Sequence, residues 1–198
     1  MKIKFPVGDA LRVVEEMMLP KGHNLAASCV KVEIAGSIRR KKMFVGDIEI
    51  VLVPVKAPPS QMDLGLSDLT PDLESVMDEK IDALIRRGVL EKRKNINGNT
   101  MFGGALKYVR HVPSGIPIDF FICSLETWAT TLVTRTGSAA LVEELARRAN
   151  RLGYSWNPGG VGFTRISDGV KFPITTEEEA FNFVGLPCLP PEQRSLET

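Results

Sequence analysis

The chain has 198 residues, 43% of them hydrophobic and 25% charged, with a formal net charge of +1. That composition fits one moderately large globular domain or two small ones and excludes disorder as the default. No apolar run approaches the roughly 18 residues of a membrane span, and near-neutrality argues against nucleic-acid binding by bulk charge, though a local basic stripe would escape such a count.

The amino terminus, Met1-Lys2-Ile3-Lys4-Phe5-Pro6, lacks the apolar core of a secretory signal, so a cytoplasmic location with no membrane partner is expected. Residues 9–19 carry Leu11, Val13, Val14, Met17 and Met18 at helical spacing, and Pro20 stops the pattern. Cys29 to Ala35 alternates through Val30, Val32 and Ile34, which predicts a strand. Next comes Gly36-Ser37-Ile38-Arg39-Arg40, and then Gly46-Asp47-Ile48-Glu49-Ile50, which opens a second strand running to Val53.

Proline and turn formers dominate 54–71, a loop or connection. Leu73, Val76, Met77, Ile81, Leu84 and Ile85 predict a helix, with Gly88 as its stop. Two strands, Val89 to Lys94 and Thr100 to Val109, are expected around the turn Asn97-Gly98. The strand Ile116 to Ile122 sets Ile118, Phe120 and Ile122 on one face and Asp119 on the other. Pro117 restricts it to a sheet edge or itself to the strand's first residues.

After Cys123 the texture changes. Leu125 to Thr134 and Ser138 to Leu152 read as helices, and Phe163 to Ile166 as a short strand. Thr176 is placed to cap a helix whose first turn is Glu177-Glu178-Glu179, and Pro187, Pro190 and Pro191 leave a tail. Cys29, Cys123 and Cys188 are odd in number and lack C-x-x-C spacing, which speaks against a disulfide framework or zinc site. His23 and His111 are expected on the surface or in loops.

The chemistry concentrates between 36 and 50. Alternation along a strand points Asp47 and Glu49 one way and Ile48 and Ile50 the other. Alone, either acid would read as a surface carboxylate. A small-residue turn and a basic pair just ahead of them turn the reading toward a divalent metal and a nucleotide triphosphate. Gly36 and Ser37 can bring backbone N–H groups and a hydroxyl to phosphate, Arg40 can meet phosphate with its planar fork, and Gly46 permits close approach. Arg39 and Lys41 read as solvated. Asp119 could complete a trio of carboxylates if its strand lies beside that of Asp47, and burial among apolar neighbours would demand a cation partner.

Gly-Ser followed after nine residues by Asp-x-Glu resembles the signature of the polymerase β-like nucleotidyltransferase superfamily, and the longer match from Gly36-Ser37-Ile38-Arg39-Arg40 through Glu49 resembles DNA polymerase family X. Arg135-Thr136-Gly137-Ser138 resembles that family's Thr-Gly-Ser turn, and Ile174 to Glu179 with Gly185-Leu186-Pro187 to Arg194 resembles its closing segment. The resemblance implies that Asp47, Glu49 and Asp119 bind two magnesium ions, with Asp119 nearest the primer 3′-hydroxyl. It implies that Gly36, Ser37, Arg40 and Gly46 hold the triphosphate, with Lys4 reaching it, and that Thr136, Gly137 and Ser138 border the sugar and base of the incoming nucleotide.

Three departures stand out. Glu49 replaces an aspartate, and its extra methylene can alter metal spacing or the choice between magnesium and manganese. Thr134-Arg135 replaces an aromatic pair, which points Arg135 toward the nucleotide or template. Ile116-Pro117 stands where an arginine precedes the third carboxylate's strand. The chain begins almost at the palm, so a minimal palm-plus-thumb enzyme without lyase or phosphoesterase domains is expected.

These readings predict an α+β fold: a nucleotidyltransferase palm over residues 1–124, with a mixed sheet flanked by helices, and a small C-terminal α/β thumb over 125–198. The expected function is family X addition of deoxynucleotides to a DNA 3′ end, in short-gap repair, by a monomer whose partners are a gapped or nicked primer/template and deoxynucleoside triphosphates. Two rivals are a nucleotidyltransferase using an RNA end, small molecule or protein as acceptor, and a non-catalytic module that binds DNA or nucleotide.

Overall fold

The computed structural model describes residues 3–56, 75–95 and 97–195. The loop expected over 54–71 falls, from residue 57 onward, outside the described residues.

Two short strands, β1 (Phe5–Pro6) and β3 (Phe44–Val45), pair as an antiparallel ribbon. Between them in sequence lie α1 (Val7–Met18), β2 (Cys29–Ile34) and the single turn α2 (Gly36–Arg39). β4 (Ile48–Pro54), α3 (Val76–Arg86), β5 (Leu90–Lys92), β6 (Leu106–His111) and β7 (Pro117–Ile122) follow. The main sheet runs β2-β4-β7-β6-β5, with β4 and β7 parallel and the other neighbours antiparallel.

Helical spacing explains how α1 buries Ala10, Val13, Val14, Met17 and Met18 on one stripe. α3 starts at Ser75, whose side chain accepts from the Asp78 N–H while Asp78 accepts from the Ser75 N–H, and it buries Met77, Ile81 and Leu84. Both helices cover one sheet face, where Ile48, Ile50, Leu52, Ile118 and Phe120 complete the core. Because side chains alternate, Val51, Val53 and Phe121 point to the other face.

That second face is covered by α4 (Trp128–Thr136), which presents Trp128 and Leu132 to the sheet. Its neighbouring i,i+4 pair, Ala129 and Val133, faces a separate core with α5 (Ala139–Arg151), β8 (Tyr154–Trp156), β9 (Gly162–Arg165) and α6 (Glu177–Phe183). β9 is flanked by β8 and β10 (Lys171–Pro173) in a three-stranded antiparallel sheet. Phe163 stacks on Phe183 there, with ring centroids 4.0 Å apart. One helix therefore serves two cores.

Several expectations need correction. Of the two places open to Pro117 it takes the strand's first residue, which can forgo a ladder donor, and β7 is therefore a central strand and not an edge. The strand expected from Thr100 begins only at Leu106; Gly103-Gly104 interrupt the pairing, leaving isolated bridges at Lys94 with Thr100 and Phe102 with Lys107. α4 starts at Trp128 and runs through Arg135 and Thr136. The proline-rich end is not a loose tail, since Arg194 is only 3% exposed. His111 is likewise buried at the end of β6, where its Nδ1 lies 2.8 Å from Ser114 Oγ.

Candidate active site

Parallel pairing of β4 with β7 sets Glu49 directly beside Asp119, and antiparallel pairing sets Asp119 beside Tyr108 of β6. Residues in register on neighbouring strands share a face, so Glu49 and Asp119 stand in one row. Asp47, two residues before Glu49, adds its charge to the same spot: burial first, then repulsion from Asp47 and Asp119, pushes the Glu49 carboxyl up to about 7. Arg135 and Arg40 pull in the opposite direction but do not win. The three acids are thus near neighbours in electrostatic terms.

Gly36 is indispensable to this arrangement. Its φ is +60°, and a Cβ there would lie 1.8 Å from Glu49 Oε2. Its first role is to give the longer carboxylate of Glu49 somewhere to sit, beyond the approach to phosphate that the motif suggests. The extra methylene of glutamate is accommodated by the absence of a side chain opposite it.

Two cavities meet at Asp47. One, of about 580 Å³, is lined by Lys4, Ser37, Arg40, Lys42, Phe44, Gly46, Asp47 and Glu49. The other, of about 350 Å³, is lined by Gly46, Asp47, Arg93, Asn95, Tyr108, Pro117 and Asp119. The first gathers cations and a hydroxyl suited to a polyanion; the second shares Gly46 and Asp47 with it and adds Asp119. Such a divided cleft can hold two reactants with the carboxylates between them.

The basic pair behaves differently from expectation. Arg39 is not a solvated residue: it donates to Thr136 Oγ1 at 2.7 Å and, as a fork, to Glu177 at 2.9 and 2.8 Å. Arg194 donates to the same Glu177 at 2.6 Å. Burial raises the Glu177 carboxyl, yet hydrogen bonds from Arg39 and Arg194 outweigh that and hold it below its ordinary value. Arg40 donates to the carbonyl oxygens of Thr136 at 2.7 Å and Gly137 at 3.2 Å, while its Nε is buried with no acceptor among the described residues.

Arg135 lies with its guanidinium 3.9 Å from the centre of the Phe121 ring, on the face of β7 that also carries Asp119. Ser138 caps α5, accepting from the Leu141 N–H at 3.3 Å, and Gly137 packs closely on Val142 and the Val133 carbonyl. The Arg-Thr-Gly-Ser segment thus links α4 to α5 and meets α2 through Arg39 and Arg40. Asp119, 6% exposed, has the cation partner its burial demands: Arg93, whose guanidinium donates to Oδ1. Nothing in sequence pairs Arg93 with Asp119; the link exists because β5 and β7 both flank β6.

Among the described residues no group of three His, Cys, Asp or Glu side chains is drawn together at metal-binding spacing. The donor set nevertheless suits a hard cation. All three groups are carboxylates, and their mutual repulsion raises one of them, a cost that a divalent ion would relieve. Without metal, that cost has a measurable sign. Glu49 takes up a proton more readily folded than unfolded, so its contribution to stability is full below about pH 4.5 and is lost as pH rises through about 7. In EDTA, Glu49→Gln is expected to remove this loss and stabilise the protein at pH 8 by up to about 3 kcal/mol relative to wild type, compared with pH 5. Denaturant titrations at the two pH values check it; parallel pH dependence in both proteins would contradict it.

Comparison with known proteins gives the site its context. Residues 131–195 match the family described as DNA polymerase beta thumb. The ternary primer/template complex of Leishmania infantum polymerase beta superposes with a TM-score of 0.69 at 18% identity, covering 98% of this chain and 77% of that one. No curated protein sequence matches. The chain has the polymerase β fold, and its residues 131–195 are similar to the polymerase beta thumb. Among the described residues no helix is long and apolar enough to cross a membrane.

Proposed function

We propose that the protein is a DNA-directed DNA polymerase of family X that fills short gaps in DNA during repair. The observation that carries this reading is the register of Glu49 against Asp119, with Asp47 alongside, at the junction of two cavities. One cavity would take the deoxynucleoside triphosphate and the other the primer terminus. Residues 1–124 then act as palm and 125–198 as thumb, in a monomeric cytoplasmic enzyme.

Ser37, Arg40 and Lys4 line the larger cavity and would hold the triphosphate, with Gly46 leaving room for it. The buried Nε of Arg40 offers a donor that a phosphate oxygen would satisfy. Thr136 and Gly137, already joined to Arg40 through their carbonyls, would report phosphate binding to the thumb. Asp119 lines the smaller cavity and would take the proton of the primer 3′-hydroxyl. Asp47, Glu49 and Asp119 are the groups that would hold two magnesium ions, which supply charge neutralisation at the reacting phosphate. No side chain here needs to form a covalent intermediate; positioning and electrostatics suffice.

Extension of a one-nucleotide gapped duplex, beside blunt, single-stranded and RNA acceptors and with magnesium or manganese, tests the reading. Templated incorporation on the gapped DNA is expected. Transfer to an RNA end or a small molecule alone would point to a different acceptor, and DNA or nucleotide binding without any transfer would mean a non-catalytic module.

A further inference from the structure

We propose that Arg93 is a positioning residue for Asp119, an inference that rests on the polymerase reading above. Arg93 follows the last residue of β5, and its backbone N–H donates to the Tyr108 carbonyl at 3.0 Å. Tyr108 stands beside Asp119 in the sheet. From there the Arg93 guanidinium passes over the Tyr108 ring, 4.4 Å from its centre, and reaches Asp119 Oδ1 on the next strand. Main chain, ring face and carboxylate thus fix the cation at three points.

That geometry does two things for Asp119. It ties down one oxygen of the carboxylate, which limits the rotation of a side chain that must aim at the primer hydroxyl. It also keeps a nearly buried anion compensated beside Glu49 and Asp47. Arg93 and Asp119 both line the smaller cavity, so the pair stays in place where the primer terminus would enter. A lysine could supply the charge but not the flat fork that lies over Tyr108 while donating to Asp119.

The test combines turnover and stability. With gapped DNA, Arg93→Ala is expected to lower kcat about 10²-fold, the cost of a slightly misplaced catalytic group, with little change in the KM for nucleotide. Arg93→Lys should recover part of the loss, and guanidinium ion added to Arg93→Ala should recover part of it as well. In EDTA, Arg93→Ala should melt several degrees below wild type, and Asp119→Asn introduced into it should return part of that loss, showing the two side chains to be coupled. If wild type extends the primer and Arg93→Ala retains its kcat, or loses only KM, or if the two substitutions act additively on melting, Arg93 does not position Asp119. If wild type itself transfers nothing to any acceptor, it is the polymerase reading that falls, a result distinct from the first.

Discussion

Replacing Asp119 by alanine is expected to reduce nucleotide incorporation on gapped DNA by about 10³-fold or more, while binding of the gapped duplex stays within a few-fold of wild type. The loss is large because one substitution removes two things: a carboxylate from the acidic trio and the group proposed to receive the proton of the primer hydroxyl. Retention of DNA binding follows from the same placement, since removing a negative charge beside the smaller cavity cannot weaken attraction to a polyanion. Alanine also strands Arg93, whose guanidinium would be left in a largely buried position without its carboxylate. Asparagine keeps the shape and accepts from Arg93, so Asp119→Asn separates the chemical loss from the structural one. Primer extension and a DNA-binding titration on both variants, with melting curves as control, check the expectation. Incorporation at wild-type rate by Asp119→Asn would remove Asp119 from the mechanism altogether.

The acidic row was legible in the sequence because strand alternation is a local property. Glu49 and Asp119 each sit in a strand whose alternation separates them from Ile48, Ile50, Ile118 and Phe120, and the structure keeps that separation, whereas Asp47 lies just before β4, which starts at Ile48. Helices α1, α3 and α6 were legible for the same reason, with Thr176 and Glu179 forming the reciprocal cap that their spacing suggests. What the pattern could not supply is pairing between distant segments. Arg39 looked solvated because its acceptors lie 97 and 138 residues away in sequence. Arg93 stands between Lys92 and Lys94, and nothing local sets it apart from them. His111 was assigned to the surface on the average behaviour of histidine, but the turn that follows it provides Ser114 as a partner and so permits burial. The interruption at Gly103-Gly104 left its mark in the sequence as a glycine pair, and the paired strands, Leu90–Lys92 and Leu106–His111, start further from the Asn97-Gly98 turn than expected. Gly36 shows a different limit: the motif marks the residue, but only the three-dimensional contact with Glu49 explains why no side chain fits there.

Replacing Glu177 by alanine is expected to destabilise the protein by about 3 kcal/mol or more, the cost of leaving charged partners buried and uncompensated. Glu177 is the first residue of α6, yet both of its oxygens serve other elements: Oε1 accepts from Arg39 and Arg194, and Oε2 from Arg39. The three side chains are between 4% and 19% exposed, so water cannot stand in for the missing carboxylate. Arg194 is held further by its Nε donating to the Leu189 carbonyl at 2.7 Å, and Arg39 by Thr136, so neither can swing easily to solvent. Glu144 on α5 offers the contrast: its partners Arg147 and Arg148 are 56% and 38% exposed and can turn to water, so Glu144→Ala should lower melting much less. pH gives a second handle. Because Glu177 is held below its ordinary value when folded, its contribution is present above about pH 4.5 and fades as pH falls toward the folded value. Wild type should therefore lose stability on acidification faster than Glu177→Gln, which carries no proton to gain. Denaturant titrations of the three variants beside wild type from pH 7 to pH 3 check both statements. Since Arg39 adjoins Arg40, and Arg40 bonds Thr136 and Gly137, loosening this triad should also raise the KM for nucleotide, which would tie the buried ion cluster to the proposed triphosphate cavity. An unchanged KM in a measurably destabilised Glu177→Gln protein would confine the cluster to a structural role.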